Sequence, residues 1–177
     1  MNHEKANLHP TSMIARNATI IGNVFVGENC TVLFNATLRG DSGGRIVVEE
    51  GTNIQENCCL HVNQDGITHV GKNATVGHGA ILHGCTIGER TIVGMGAIII
   101  DGAKVGSDCL IGAGSLVTGS ANIPNGMLVL GSPAKAVRPL SKEEISALPQ
   151  SAETYINTGK DLLDQGFLVS GASFYSN

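Results

Sequence analysis

The chain has 177 residues, with 15 acidic and 11 basic side chains, a formal charge of −4 and only 3% aromatic residues. That length suits one domain, and with no basic run and few aromatic platforms it excludes a nucleic-acid partner. No stretch reaches 18 apolar residues, the opening MNHEKANLHPTS has no signal-peptide pattern, and five cysteines follow no disulfide framework, so a soluble protein of the reducing cytoplasm, with no membrane partner, is the expectation.

Residues 1–13 form an N-terminal segment that covers the first turn of the fold or reaches a neighbour; His3 and His9 are read as tail residues. From Ile14 a six-residue step governs the chain. It lands on Ile14, Ile20, Val26, Val32 and Leu38, resumes after four extra residues at Val48, Ile54 and Leu60, and resumes again after four more at Val70, Val76 and Leu82. One five-residue step then leads to Ile87, followed by Val93, Ile99, Val105, Ile111 and Val117. Every landing residue is Ile, Val or Leu. Gly follows at Gly27, Gly71, Gly77, Gly88, Gly94, Gly106 and Gly112, and a small residue usually stands four places on, as at Ala18, Cys30, Ala36, Cys58, Ala80 and Cys109.

This is the pattern of a hexapeptide parallel β-helix, in which each unit is a short strand plus a corner and three units make one triangular coil. Separate amphipathic strands in a sandwich would need no fixed step of six. The all-β domain is expected over residues 14–120. The insertions GDSGGRIV (40–47) and VNQDGITH (62–69) are expected to leave the coils as loops on one edge. After Val117 the step is expected to fail. Residues 121–177 then form a C-terminal extension whose helix begins at the capping box Ser141-Lys-Glu-Glu144, is ended or re-opened by Pro149, and packs through Ala152, Tyr155, Ile156, Leu162 and Leu163 despite Gly159.

Register arithmetic brings out a cluster. His61 and His83 each follow a landing residue of one column and lie 22 residues apart, which is 18 for a coil plus four for the inserted loop. Their backbones are expected about 4.8 Å apart, where two imidazoles can hold one metal ion. Stacked surface histidines can also be coincidence. His78 sits two after Val76 in another column, above Glu56, and a stiff prism cannot bring it to the His61/His83 corner. If all three hold one ion, His78 comes from another subunit, and a three-fold ring closes such a contact. His69, in the second loop, lines the mouth at most, and the direction of Cys85 is left open.

The segments Arg39-Gly40-Asp41, Asn53-Ile54-Gln55-Glu56, Leu60-His61, Val76-Gly77-His78-Gly79-Ala80-Ile81-Leu82-His83-Gly84-Cys85 and Gly131-Ser132-Pro133-Ala134-Lys135 resemble the γ-class carbonic anhydrase-like family, over roughly Ile14 to Tyr155. The resemblance implies a left-handed β-helix, a homotrimer, and zinc (with iron or cobalt as alternatives) at subunit interfaces, held by His61 and His83 of one chain and His78 of the next. It implies that Arg39 pairs across the interface with Glu56. Asp41, Gln55 and Tyr155 match the family's polar residues near the metal. The loop GDSGGRIV lacks the glutamate that shuttles protons in the best-studied type.

The small-molecule reaction these residues suit is hydration of CO2 to bicarbonate, with Gln55 orienting a reacting group, Asp41 accepting a hydrogen bond and Tyr155 or Asp65 left to move the proton, slowly. The alternatives are a zinc-dependent acyl-CoA thioesterase, a hexapeptide acyltransferase (GSPAK also occurs at coil ends there), and a trimeric scaffold whose metal is structural. A fourth protein ligand would favour the scaffold.

Overall fold

A computed structural model of the chain describes residues 6–176; His3 lies outside the described residues. The chain winds as a solenoid of about seven turns with one C-terminal helix. Its strands stack into three parallel faces. The first face has seven strands: Asn7–Leu8, Val24–Val26, Arg45–Val48, Ile67–Val70, Thr86–Ile87, Lys104–Val105 and Asn122–Ile123. The third has six: Thr19–Gly22, Thr37–Gly40, Cys59–His61, Ile81–His83, Ile98–Ile99 and Leu116–Val117. The second face stacks Met13–Ala15, Thr31–Val32, Asn53–Ile54, Thr75–Val76, Ile92–Val93, Leu110–Ile111 and Met127–Gly131, with an antiparallel strand at each end, Leu168–Ser170 and Ala134–Pro139.

The landing residues fill the axis. Ile14, Val32, Leu38, Ile54, Leu60, Val76, Leu82 and Ile99 have no exposed surface, and each such side chain contributes roughly 1.5–3 kcal/mol through burial. The small residues four places on are buried beside them, including Cys30, Cys58 and Cys109, and Cys85, three places after Leu82, is buried with them. Burial pushes the Cys30 and Cys85 thiols up to about 12 and Cys58 up to about 11, so they serve as small apolar fillers. The glycines after the landing residues lie against the backbone of the next coil: a Cβ on Gly27 would stand 2.8 Å from the amide nitrogen of Glu50. A second corner rule emerges at the third place after the landing residue. Asn29, Asn35, Asn57 and Asn73 hold φ between 52° and 60° there, a left-handed conformation that asparagine tolerates better than most residues.

Several expectations need correction. The step does not fail after Val117: Ile123 and Val129 continue it, and their strands pair with Lys104–Val105 and Leu110–Ile111. Stacking also begins before Ile14, because Asn7–Leu8 pairs with Phe25 and Val26. The insertions are shorter than expected, since Arg45–Val48 and Ile67–Val70 are strands of the first face. Pro149 neither ends nor opens a helix. One helix, α1, runs over Lys142–Asp164 with Pro149 inside it, and its capping box is formed at Ser141 and Glu144.

Helix α1 runs along the stack. Ile145 reaches Gly126 near one end, Ser151 Oγ accepts from Thr75 Oγ1 at 3.0 Å, and Gly159 meets Met13 and Thr31 at the other end. The lengths match. Twenty-three residues at about 1.5 Å span roughly 34 Å, and six strand spacings of about 4.8 Å span roughly 29 Å. Gly159 permits the approach, because a Cβ there would lie 2.8 Å from Thr31 Oγ1 and 3.0 Å from Met13 Sδ. The Tyr155 carbonyl accepts from Thr31 Oγ1 at 3.1 Å, and this docking carries the Tyr155 ring to the site.

Candidate metal centre

The site residues fall into two groups on two edges of the prism. The first group stands at the end of the third face. Leu60 pairs with Leu82, and His61 with His83, in register; Arg39 pairs with His61 one coil below. Nδ1 of His61 lies 3.0 Å from Nε2 of His83, and the ring centroids are 5.0 Å apart. His61 Nε2 lies 3.1 Å from Ser42 Oγ, and His83 Nδ1 lies 2.8 Å from Asp101 Oδ2. Arg39 Nη1 donates to Asp41 Oδ1 at 2.8 Å, and Ser42 Oγ donates to the same oxygen at 3.3 Å. Burial alone would raise the Asp41 carboxyl, but the Arg39 guanidinium, a backbone N–H and Ser42 outweigh it and hold the carboxyl below its ordinary range. Burial lowers the His61 imidazole, and the nearby charges of Arg39 and His83 lower it further, so a neutral ring is favoured.

The second group stands past the end of the second face. Val76 pairs with Ile54, which sets His78 one coil above Glu56. Nδ1 of His78 is 2.6 Å from Glu56 Oε2. That oxygen is buried and makes no aligned hydrogen bond within the described residues, so the contact is close without being a directed hydrogen bond. The Tyr155 hydroxyl lies 3.4 Å from His78 Nε2. Burial raises the Tyr155 phenol, and Glu56 raises it further, so the hydroxyl keeps its proton. Gln55 is 4% exposed. Its amide donates to Asn53 Oδ1 at 3.0 Å and accepts from the His78 N–H at 3.2 Å, while Asn53 donates to Thr75 Oγ1 at 2.9 Å. Gln55 is therefore held in one orientation by a chain of buried amides and hydroxyls that ends under α1. Beside it a pocket of about 230 Å³ is lined by His78, Tyr155, Ile92, Val93 and Met95.

One protomer thus joins Arg39, Asp41, His61 and His83, and separately joins Gln55, Glu56, His78 and Tyr155. Among the described residues no three His, Cys, Asp or Glu side chains of one chain form a metal-binding group. Within the chain Arg39 is paired to Asp41, not to Glu56. His69 is not at a loop mouth: it lies in the Ile67–Val70 strand of the first face, with Nε2 3.2 Å from Glu49 Oε1. Cys85 points into the core with 1% exposure, so it offers no ligand. Ser42 and Asp101 escaped the sequence reading. The signal for Asp101 was available, because it stands two after Ile99 just as Gly84 stands two after Leu82, one coil apart.

The donors suit a borderline cation such as zinc. Two imidazole nitrogens bound to one tetrahedral ion at 2.0–2.1 Å are about 3.3–3.4 Å apart, so the facing nitrogens at 3.0 Å need only a few tenths of an ångström of opening. When the proton of a neutral His83 sits on Nδ1, facing Asp101, its Nε2 presents a lone pair to that gap.

Comparison with known proteins bears on the family and the fold. The model of the bacterial transferase hexapeptide family (six repeats) matches residues 84–119. Gamma carbonic anhydrase 2, mitochondrial, of Arabidopsis thaliana is 43% identical over 150 residues, covering 81% of this chain and 54% of the plant protein, so the chain spans about half the length of that relative. The carnitine operon protein CaiE of Escherichia coli K12 is 43% identical over 138 residues, covering 78% of this chain and 70% of CaiE. Among solved structures, a hexapeptide transferase family protein from Anaplasma phagocytophilum is 41% identical with a TM-score of 0.83, covering 88% of this chain and 92% of that one. The Bacillus cereus N-acyltransferase AntD, 15% identical with a TM-score of 0.68, shares the fold. The repeat, the stacked histidines and these identities together place the chain in the γ-carbonic anhydrase-like family of hexapeptide-repeat proteins.

Proposed function

We propose that the chain forms a homotrimer with zinc (iron or cobalt being alternatives) between subunits, and that it hydrates CO2 to bicarbonate. The observation that carries this reading is the split of one ligand set over two edges: His61 and His83 face each other on one, and His78 stands on the other. A cyclic trimer is the simplest assembly that joins the two edges three times. His61 and His83 of one subunit and His78 of the adjacent one would then hold the ion, and when bound the ion supplies Lewis acidity that makes water nucleophilic near neutral pH.

The remaining roles follow from the chain's own residues. Gln55, locked between Asn53 and the His78 amide, would orient the reacting oxygen or CO2. Asp41, kept ionised by Arg39, would accept a hydrogen bond from the other edge. Glu56, with a buried oxygen lacking an aligned donor, would receive Arg39 of the adjacent subunit. Tyr155 holds its proton beside His78 and would relay protons slowly, which fits a modest turnover.

Cys85, the nearest candidate for a fourth protein ligand, is buried in the core, and this favours a coordination position left open over a purely structural ion. The thioesterase reading draws on one observation: the pocket beside His78, lined by Ile92, Val93 and Met95, is far larger than a triatomic substrate requires. The test is metal analysis of the purified protein with stopped-flow CO2 hydration before and after chelation. Hydration that depends on one metal per chain supports the proposal. A metal-loaded protein with no hydration activity, or with acyl-CoA hydrolysis alone, overturns it.

A further inference from the structure

We infer that Asp101 is a positioning residue for the metal centre: it fixes His83 as the Nδ1–H tautomer and so directs the Nε2 lone pair at the ion. The inference rests on the proposed metal site. Three observations converge on it. His83 Nδ1 lies 2.8 Å from Asp101 Oδ2. The other oxygen of the carboxylate, Oδ1, accepts from Asn63 Nδ2 at 3.3 Å, which ties the carboxylate to the loop that follows His61. Gly84, with φ +58°, leaves the space that the carboxylate occupies, since a Cβ there would collide with Asp101 Oδ1.

Chemistry explains why this contact matters more than an exposed ion pair. A neutral imidazole carries its proton on either nitrogen, and an acceptor at one nitrogen selects the tautomer with the lone pair on the other. A carboxylate behind a metal-binding imidazole fixes the ring and strengthens it as a donor, and its loss typically costs 10–100-fold in metal affinity. The same logic reaches His61. When a cation lies between the facing nitrogens, Nε2–H of His61 has Ser42 Oγ as its acceptor, and the Ser42 hydroxyl donates its own hydrogen bond to Asp41 Oδ1. Each imidazole of this pair therefore has its own outward acceptor, and Asp101 is the only carboxyl side chain in direct contact with a ring among the described residues of this edge.

The test compares Asp101→Ala, Asp101→Asn and His83→Ala with the unchanged protein. Zinc affinity is measured by competition with a chelator, and the His83 tautomer of the metal-free protein by nitrogen-15 NMR. The expected result is His83 as Nδ1–H in the unchanged protein, a shift toward Nε2–H in D101A, and zinc binding 10–100-fold weaker with the same stoichiometry. D101N keeps an acceptor oxygen and should recover part of both; it also serves where D101A folds poorly. Tautomer and affinity both unchanged in D101A, or in D101N if only that variant folds, would overturn the inference. Zinc binding undiminished in H83A would instead overturn the metal site itself, so the two failures are told apart.

Discussion

Nε2 of His83 faces Nδ1 of His61 at 3.0 Å, across neighbouring strands of one parallel face, and His78 stands beside Glu56 on a different edge. The shared-site proposal makes a quantitative prediction from this arrangement. His61→Ala and His78→Ala should each abolish tight zinc binding, because either leaves two imidazoles per site. When the two variants are dissociated and mixed, any mixed trimer has one junction at which a chain with His61 and His83 meets a chain with His78. Mixed trimers should recover about one zinc each by elemental analysis. If demonstrably exchanged trimers recover none, the site does not lie between chains.

Arg39 is the second handle on assembly. Its side chain is 44% exposed in the protomer and pairs with Asp41, while Glu56 holds a buried oxygen without an aligned partner. If the adjacent Arg39 reaches that oxygen, Arg39→Ala should raise the concentration at which trimers dissociate by roughly ten-fold or more, equivalent to about 1.4 kcal/mol. Analytical ultracentrifugation over a dilution series checks this, and an unchanged midpoint removes Arg39 from the interface.

Gly159 lets the helix sit down on the second face. Gly159→Leu should force Met13 and Thr31 apart and destabilise the fold by about 1–3 kcal/mol, measured by urea unfolding. Gly159→Ala should be close to neutral, because about 1 kcal/mol of gained helix propensity opposes the crowding of a single Cβ at 2.8 Å from Thr31 Oγ1. A stabilised Leu variant would mean that the helix does not dock there.

The helix start has a pH signature. Hydrogen bonds from Arg138, at 2.7 and 2.8 Å, and from the Ser141 N–H, at 2.7 Å, pull the Glu144 carboxyl down to about 2 from an ordinary value of 4.5. A folded-state value below the unfolded one stabilises above pH 4.5, and the contribution fades as pH falls toward 2. Glu144→Gln should therefore melt below the unchanged protein at pH 7, and the two melting temperatures should converge by about pH 2. A gap that stays constant across that range would show that the ionised carboxylate contributes nothing.

Much of the scaffold was legible because a solenoid repeats its physics. Ile, Val or Leu at every sixth place predicted both the faces and the His61–His83 register, which the strand pairing reproduces. The last turn was hidden because its corners carry Pro124 and Asn125, and Met127 stands where a small residue is usual, although Ile123 and Val129 keep the step. Pro149 misled because proline usually breaks helices, and no local pattern announces that the continuous helix is held by Thr31, Thr75 and Met13, residues remote in sequence. Asp101 could have been found by carrying the place of Gly84, the neighbour of His83, one coil on, but Ser42 lies in an insertion where register arithmetic has no purchase.

The antiparallel strand Leu168–Ser170 has a consequence for how large this molecule can become. It lies against Met13, Ile14 and Ala15 at the open edge of the first turn, and Ala134–Pro139 does the same at the far end of that face. A column of parallel strands offers its end rows as templates for more of the same. Here both ends of this face are finished in the antiparallel direction, so a second molecule meets no parallel end row there on which to continue the stack in register.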